Sequence, residues 1–295
     1  MTPSMLVGTH TFSCGPDGTR RQAAAVASLC RLTGVEVVNV QFAEAPHAVT
    51  GVRTLPALRG SSVGVTGRPG PIKPLMSEVF DALAREAAAR ALPWFCFTNA
   101  DIIFGQPAID SMLSADADAV VLARENFGGE DGGPPEMELA GVDVFAVSTE
   151  WWQAHRGLFR GYVAGEGVWD NVYTAILFCH GRCVIENRRG LVRHERHARG
   201  PMISPACAEY TRLLATLDAQ YFSLWCRYWD GLGRLRTAGA PREEETAWAR
   251  SVFVHAPGLL ARVTHAARVV KARIRYARSR RRGTSSAGPR SGKAA

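Results

Sequence analysis

Asp101 and Asn99 lie in a short polar segment between two apolar runs, in the stretch WFCFTNADIIF at residues 94–104. An ionised carboxylate beside a buried strand is costly unless a charged or polar partner compensates it. Ligands of open α/β sheets bind beyond the carboxyl ends of the strands. A carboxylate at that position can hold Mg²⁺ or Mn²⁺, which commonly bridge phosphates. Asp101 is therefore a candidate metal ligand, and the alternative is that Asp101 or Asn99 caps a turn.

Two histidines, His194 and His197, form a second candidate cluster in LVRHERH. On a strand, residues three apart face opposite sides, whereas on a turn or helix they can converge. One alternative is a solvated basic loop. Another is a zinc site with Cys179 and Cys183 as further ligands. The apolar run AILFC around Cys179 favours an ordinary buried thiol, since closed zinc sites keep tighter spacings.

Strands and helices alternate along the chain, which predicts an α/β fold with a mostly parallel sheet and helices on both faces. The predicted strands are SMLVGTHT, VEVVNVQF, WFCFT, DAVVLAREN and VDVFAVS, with CVIENRRGLVRHERH as a strand or hairpin. The predicted helices are RRQAAAVASLCRL, a segment that begins near Pro74, VWDNVYTAILFCHG and EYTRLLATLDAQYFSLWCRYW. The Gly- and Pro-rich segment EDGGPPE is predicted to be a mobile surface loop.

In the order of these segments, residues 5–200 resemble nucleotide-sugar-dependent glycosyltransferases of the GT-A fold, of the family 2 type. In that family a metal-binding Asp-x-Asp or variant motif ends a central apolar strand, as Asn99-Ala100-Asp101 does here. Asn99 stands where many members have Asp. The resemblance implies a GT-A-like (Rossmann-like) sheet followed by C-terminal helices, and Mn²⁺ or Mg²⁺ as cofactor. It implies metal ligands at Asp101 and Asn99, completed by His194 or His197.

The resemblance also implies a general base in GEGVWDNVY, because an acidic residue at a helix start opposite the donor often has that role in the family. Glu166 and Asp170 both qualify. Asp170 is slightly preferred because Trp169 beside it suits packing against a sugar face. The alternative for Asp170 is a helix N-cap.

Donor contacts are implied at the end of the first strand, ahead of the long helix and around the metal motif. The candidate donor-binding residues are Thr9, His10, Arg68, Lys73, Asn99 and Asp143. A lone Lys or Arg in a loop is usually just solvated. Asp143 in GVDVF could instead face solvent in an alternating strand.

Together these features predict a glycosyltransferase that moves a sugar from a nucleotide-diphosphate donor to an acceptor hydroxyl. The acceptor would be a glycan, a lipid-linked sugar or a small molecule. The alternative is a GT-A-like protein that binds a nucleotide or glycan without turnover. A third reading is nucleic-acid binding through the C-terminal tail.

The charge of the chain divides it into a mildly acidic body and a basic tail. Residues 259–295 contain eleven Lys or Arg and no Asp or Glu, and subtracting them from the net charge of +8 leaves −3 for the first 258 residues. A nucleic-acid-binding core should instead carry basic residues across its folded surface, so no nucleic-acid partner is expected. We predict a catalytic domain at 1–200, a helical part packed on it at 201–258, and a tail at 259–295.

The tail is predicted to form a basic helix followed by a disordered segment, SRRRGTSSAGPRSGKAA. Its apolar positions recur at three or four, at Leu259, Val263, Ala266, Val270, Ile274 and Ala277. Such a helix could rest on an anionic membrane surface, or it could dock on the domain by its apolar side.

Seven cysteines without a CxxC pair favour reduced thiols and a cytoplasmic location, with peripheral contact at the inner membrane face as an option. The sequence shows no signal peptide and no apolar run of membrane-spanning length.

Overall fold

The structure is a computed structural model of the 295-residue chain. It describes residues 4–128, 133–138, 142–197, 203–253 and 259–285.

Eleven strands in the described residues form two sheets. They are β1 (Met5–Thr9), β2 (Val35–Phe42), β3 (Arg53–Leu58), β4 (Trp94–Thr98), β5 (Ile102–Phe104), β6 (Ala119–Leu122), β7 (Arg124–Phe127), β8 (Glu136–Glu138), β9 (Val144–Ser148), β10 (Cys183–Glu186) and β11 (Val192–Glu195). The large sheet has seven strands in the order β10-β6-β9-β4-β1-β2-β3. Within it β9 runs antiparallel to β4 and β6, and the other pairings are parallel.

Ten α-helices accompany the sheets in the part of the chain that the structure describes. They are α1 (Pro16–Leu29), α2 (Ser62–Thr66), α3 (Met76–Ala89), α4 (Gln106–Ser114), α5 (Thr149–His155), α6 (Trp169–His180), α7 (Ala208–Leu217), α8 (Ala219–Thr237), α9 (Arg242–Phe253) and α10 (Leu259–Ser285). Pro16 occupies the first turn of α1, where its missing N–H costs nothing. Gly181 ends α6, as predicted.

Alternating residues of the central strands build one hydrophobic core on each face of the large sheet. Phe95 and Phe97 of β4 pack in the cluster that contains α3, α5 and α6. Cys96 between them packs in the cluster that contains residues of α1 and α4. Because successive strand residues point to opposite faces, a strand covered on both sides must be apolar throughout. The predicted α/β class, with a mostly parallel sheet, helices on both faces and C-terminal helices, is confirmed.

The small sheet has the order β5-β11-β7-β8 and lies at the ends of the central strands. The segment CVIENRRGLVRHERH, predicted to be a strand or hairpin, is shared between the two sheets. Its first part, β10, pairs with β6 in the large sheet, whereas its second part, β11, pairs with β5 and β7. The two strands belong to different sheets and therefore do not form a hairpin.

The predicted helix at residues 209–229 is two helices, α7 and α8, which meet at Asp218. The Asp218 carboxylate is buried and accepts hydrogen bonds from Arg160 Nε (2.9 Å) and Tyr162 Oη (3.0 Å). These bonds anchor the junction to the segment that follows α5.

The C-terminal helices pack on the α/β part and on each other. Helix α8 contacts α6 and α9, and α10 contacts α7. Helix α10 extends to Ser285, so it includes the first residues of the segment predicted to be disordered, and residues 286–295 lie outside the described residues. Among the described helices, none is both long enough and apolar enough to cross a bilayer. The division at residues 200 and 258 stays a prediction.

Candidate functional site

Asp101, His194 and His197 meet in one cluster beyond the carboxyl end of β4. Asp101 Oδ2 lies 3.3 Å from His194 Nε2 and 3.3 Å from His197 Nε2. The two Nε2 atoms are 3.2 Å apart. One carboxylate oxygen and two imidazole nitrogens thus converge, all within 4.8 Å of one another, as metal ligands do.

The pairing of two short strands explains why residues so distant in sequence converge. Asp101 lies in the turn between β4 and β5. The antiparallel register of β5 and β11 places His194 opposite Ile102, the neighbour of Asp101. His197 follows two residues after the end of β11 and turns back to the same carboxylate.

The Asp101 carboxyl group is held in its ionised form by the two histidines. Burial acts to raise its pKa, but hydrogen bonds and charge from His194 and His197 outweigh burial and lower the pKa to about 2. The carboxylate is therefore available as a ligand at every pH where the protein would operate.

Asn126 fixes the orientation of His194, which is 5% exposed. The Asn126 Oδ1 atom lies 3.0 Å from His194 Nδ1, and it accepts a second hydrogen bond from Arg124 Nε at 3.1 Å. Because an amide oxygen only accepts, His194 donates from Nδ1 to Asn126, which orients the ring and directs Nε2 toward Asp101. Such outer partners tune a metal ligand strongly.

Asn99 and Asp143 belong to a neighbouring polar group with Arg124. Asn99 Nδ2 donates to Asp143 Oδ1 at 2.6 Å, and Arg124 Nη1 donates to Asp143 Oδ2 at 2.5 Å. Asp143 is buried, so it does not face solvent along an exposed strand. The Asn99 amide nitrogen is directed at Asp143. Arg124 joins this group to Asn126 and hence to the cluster of Asp101, His194 and His197.

Asp170 lies in the first turn of α6, close enough to Asp143 for the negative charge of Asp143 to act on it. Burial and that charge raise its pKa to about 7, against backbone hydrogen bonds from Asn171 and Val142 that act to lower it. A carboxyl group with this pKa is poised to exchange a proton near neutral pH. No side-chain cap bond is formed at the start of α6, where Val168 adopts φ of 76°.

Glu166, the other predicted base, is engaged in a buried ion pair. Its Oε1 lies 2.7 Å from Lys73 Nζ, and it accepts hydrogen bonds from Ser204 N at 2.7 Å and Ser204 Oγ at 2.9 Å. Burial acts to raise its pKa, yet the bonds from Lys73 and Ser204 lower it overall. This glutamate is a structural anchor for the segment at residue 204.

The two basic donor candidates also have partners within the protein. Lys73 pairs with Glu166, and Arg68 donates to Pro205 O at 3.3 Å and Ser279 Oγ at 2.6 Å. They line a small cavity beside α2 together with Glu166 and Ser204. The structure thus groups Arg68, Lys73 and Glu166 apart from the Asp101 cluster, and none of the three belongs to it.

Thr9 and His10 lie where predicted, at the carboxyl end of β1. The Thr9 hydroxyl is buried and has no hydrogen-bond partner in the described residues. His10 Nδ1 donates to Val40 O at 2.8 Å. Burial lowers the pKa of His10, with an opposing effect of the Val40 bond and a further lowering by His47. Its imidazole is therefore neutral at pH 7, and the end of β1 offers uncharged polar groups.

The alternative zinc site is not formed among the described residues. Cys179 donates to Phe253 O at 3.2 Å in the helical core, and Cys183 lies in β10. Within that part of the chain, the cluster of three metal-binding side chains contains neither cysteine. The first part of the EDGGPPE loop lies outside the described residues.

Sequence reasoning missed Arg124 and Asn126, which connect the two polar groups. The signal for them is weak but present, because DAVVLAREN turns from apolar to alternating polar residues where β6 ends and β7 begins. Polar side chains directly after a buried strand lie at the edge where ligands bind.

Comparisons with known proteins find similar solved structures but no related sequence family. No protein-family model matches the chain, and no curated protein matches it. The chain is similar to S. aureus TarS 1-349 in complex with UDP-GlcNAc, at 13% identity over 96% of this chain and 92% of that chain, with a TM-score of 0.46. It is similar to mannosyltransferase PcManGT from Pyrobaculum calidifontis in complex with GDP-Man and Mn²⁺, at 12% identity over 98% and 82% of the two chains, with a TM-score of 0.35.

A third similar structure is a glycosyltransferase involved in the glycosylation of the major capsid of PBCV-1, at 14% identity over 65% of this chain and 93% of that chain, with a TM-score of 0.35. At these identities and TM-scores the likeness is distant. Function is inferred below from the side chains of the site.

Proposed function

We propose that this protein is a metal-dependent glycosyltransferase of the GT-A type, which moves a sugar from a nucleotide-diphosphate donor to an acceptor hydroxyl. The observation that carries the proposal is the convergence of Asp101, His194 and His197 beyond the end of β4. A bonded network of Asn126, Arg124 and Asp143 lies between this cluster and Asp170, the carboxyl group with a pKa of about 7.

The chemistry of the three donor atoms fits Mn²⁺ better than Mg²⁺. Magnesium prefers oxygen ligands and near-ideal octahedral geometry, whereas manganese accepts imidazole nitrogen more readily. Asp101, His194 and His197 would hold the ion through one oxygen and two nitrogens. A bound cation supplies positive charge that stabilises the diphosphate as the bond between sugar and oxygen breaks.

Asp170 is our proposed base. A carboxylate with a pKa of about 7 is a stronger proton acceptor than an ordinary aspartate, yet about half of it is ionised at neutral pH. It would take the proton from the acceptor hydroxyl. Glu166 is less suited to this role, because Lys73 and Ser204 stabilise its ionised form and occupy its oxygens.

We assign donor contacts to Thr9 and His10 at the end of β1, Asn99 directly after β4 and Asp143 directly before β9. Arg68 and Lys73 are left out of this assignment because Ser279 and Glu166 already satisfy them. The proposed acceptor is, as predicted from the sequence, a glycan, a lipid-linked sugar or a small molecule. We also propose a cytoplasmic location, which the seven free cysteines support.

The test combines ligand binding with turnover. Metal-free protein is melted with UDP, GDP and their common sugar conjugates, with and without Mn²⁺, because a ligand that binds only the folded state raises the melting temperature. We expect a shift that needs Mn²⁺ and that Asp101→Ala abolishes. The matched control is Asp230→Ala on the exposed side of α8, which should keep the shift. Nucleotide release from the shifting donor then reports hydrolysis or transfer.

The outcomes separate the proposal from its alternative. Mn²⁺-dependent binding followed by nucleotide release supports the enzyme. Binding without release, even with candidate acceptors present, would favour a non-catalytic nucleotide- or glycan-binding protein. The absence of any shift with every nucleotide diphosphate would reject the glycosyltransferase and would favour a non-enzymatic protein that binds a glycan.

A further inference from the structure

Helix α10 docks on the domain by one face. The half-buried residues of its described part recur at three or four, at His265, Val269, Ala272, Tyr276 and Ser279. Tyr276 Oη donates to Val65 O, and the Tyr276 ring lies 5.6 Å from that of Tyr210 in α7. Arg68 reaches across to Ser279 Oγ. This docked face differs from the apolar stripe seen in the sequence, for which docking on the domain was one of two alternatives.

The predicted stripe lies on the opposite side of the helix and is exposed. We call it the outer face of α10, with apolar positions Ala266, Val270, Ile274 and Ala277. Val270 is 58% exposed and Ile274 is 49% exposed, and both are among the few large apolar residues that the described surface presents to water. On a helix with 3.6 residues per turn these four positions share one side.

Basic residues border the outer face on both sides. Lys271 and Arg278 lie along one border and Arg273 lies along the other, all of them exposed. No acidic residue occurs between residues 259 and 295 to neutralise them. Long basic side chains can lay their aliphatic stems along an apolar surface while their charged ends reach phosphate groups.

We propose that the outer face of α10 binds an anionic phospholipid membrane, with the helix lying in the plane of the headgroups. Charge complementarity favours this partner, because the helix is uniformly basic while the rest of the chain is mildly acidic. A nucleic acid would satisfy the arginines but would leave Val270 and Ile274 in water. A lipid surface accommodates both, since its headgroups are negative and its acyl boundary is apolar.

The docking of α10 determines which part of the domain lies near the proposed membrane surface. Arg280 donates to Gly64 O at 3.1 Å, so the end of the helix lies against α2, which follows β3 in the chain. The cavity beside α2 is lined by Pro71 and Ser204, whose neighbours Ile72 and Ile203 are themselves exposed. The inference stands on this surface alone and does not depend on the proposed transfer reaction.

The test is co-sedimentation of the full chain with vesicles. We expect binding to vesicles that contain phosphatidylglycerol, weakened at least about tenfold on pure phosphatidylcholine. Val270→Gln with Ile274→Gln should weaken binding by about tenfold through lost apolar contact. Lys271→Gln with Arg278→Gln should weaken it by about tenfold through lost charge. Ile274→Trp should strengthen binding, because Trp prefers the membrane interface.

The matched control is Arg227→Gln with Arg234→Gln on α8, which removes two exposed charges at the same seven-residue spacing. This control pair should bind as the unaltered chain does. An equal loss in the control pair would overturn the proposal, as would equal binding to neutral vesicles. Insensitivity of binding to the Val270 and Ile274 changes, together with competition by duplex DNA or RNA, would assign the surface to nucleic acid instead.

Discussion

Two neighbouring carboxyl groups, Asp143 and Asp170, have different surroundings in the site. Asp143 pairs with the charge of Arg124 and accepts a hydrogen bond from Asn99, so both its oxygens are occupied. Asp170 is half-buried, and its burial together with the negative charge of Asp143 raises its pKa to about 7. A pair of acids that differ in this way can divide labour, with one organising its neighbours and the other exchanging a proton.

Asp170→Asn should reduce sugar transfer by roughly a hundredfold to ten-thousandfold, the usual contribution of a general base. In the unaltered chain, kcat should rise with pH through about 7 as Asp170 ionises. Initial rates between pH 5.5 and about 8.5 measure both effects. Asp230→Asn, an exposed aspartate on α8, provides the control and should keep the pH profile. Full activity in Asp170→Asn would exclude this residue as the base.

The same substitution should change how stability depends on pH. Folding raises the pKa of Asp170 from 3.8 to about 7, so the folded state binds its proton more tightly than the unfolded state. The contribution of Asp170 to stability therefore declines as pH rises from about 4 to about 7 and stays low above that range. Asp170→Asn lacks this decline. The free energy of unfolding should be measured in urea at about pH 5 and about pH 7.5. Between these two pH values, the free energy of unfolding of the variant should rise relative to that of the parent.

Asn126→Ala should weaken Mn²⁺ binding by roughly tenfold to a hundredfold, because His194 loses the hydrogen-bond acceptor that orients its ring. Asn126→Asp, which retains an acceptor, should restore much of the affinity. Calorimetric titration with Mn²⁺ measures both variants. Equal affinity in the Ala variant and the parent would show that Asn126 does not position the ligand.

Among single residues, the sequence indicated the members of the Asp101–His194–His197 cluster better than the residues around them. Asp101 is conspicuous because a charge follows a buried strand, and His194 and His197 because two histidines lie close together. Asn126 and Arg124 are ordinary surface residue types, and their role depends on the register that pairs Asn126 with His194. Glu166 and Lys73 looked functional in isolation, but their mutual ion pair became visible only in three dimensions.

Among the elements, β9 has the most consequence for the site. It runs antiparallel between β4 and β6, so its first residues lie at the edge where those two strands end. Asp143, directly before β9, therefore reaches Asn99, directly after β4. The sequence could not indicate this inversion, because a strand buried on both faces has the same apolar pattern in either direction.

Gly8→Ala should destabilise the fold by about 1–3 kcal/mol, because a Cβ at this position in β1 would overlap the Leu83 side chain of α3. Leu83 is fully buried and cannot move into solvent. Chemical denaturation measures the loss. The double variant Gly8→Ala with Leu83→Ala should show a coupling between the two sites, since the second change removes the clash. Additive effects would contradict a direct contact.

Element types were predictable where the hydrophobic period was clear, as for α3 and for the central strands. The boundaries of the elements and the pairing of the strands were less predictable. The residues of α7 and α8 read as one continuous amphipathic stretch, and the break at Asp218 depends on partners near residue 160, which are distant in sequence. Similarly, β10 and β11 are adjacent in sequence but are drawn into different sheets by β6 and β5.

Over the whole molecule, the docked position of α10 makes the basic tail part of the folded structure. Tyr276→Ala should loosen this docking, because the residue contributes both a hydrogen bond to Val65 and a ring contact with Tyr210. We expect faster tryptic cleavage after the arginines of α10, with little change in the melting temperature of the body. Limited proteolysis read by mass spectrometry measures this. Tyr276→Phe, which keeps the ring, should lie between the parent and the Ala variant.

The cluster of Asp101, His194 and His197 joins side chains that are up to 96 positions apart in the chain, Asp101 and His197. A nascent polypeptide cannot assemble this chelating centre until β11 has been synthesised and has found β5, a late and long-range event. Binding of the proposed Mn²⁺ ion during refolding would therefore report the moment at which β11 pairs with β5. Its capture should lag behind the formation of helical signal, and the delay should lengthen when the β5–β11 pairing is weakened.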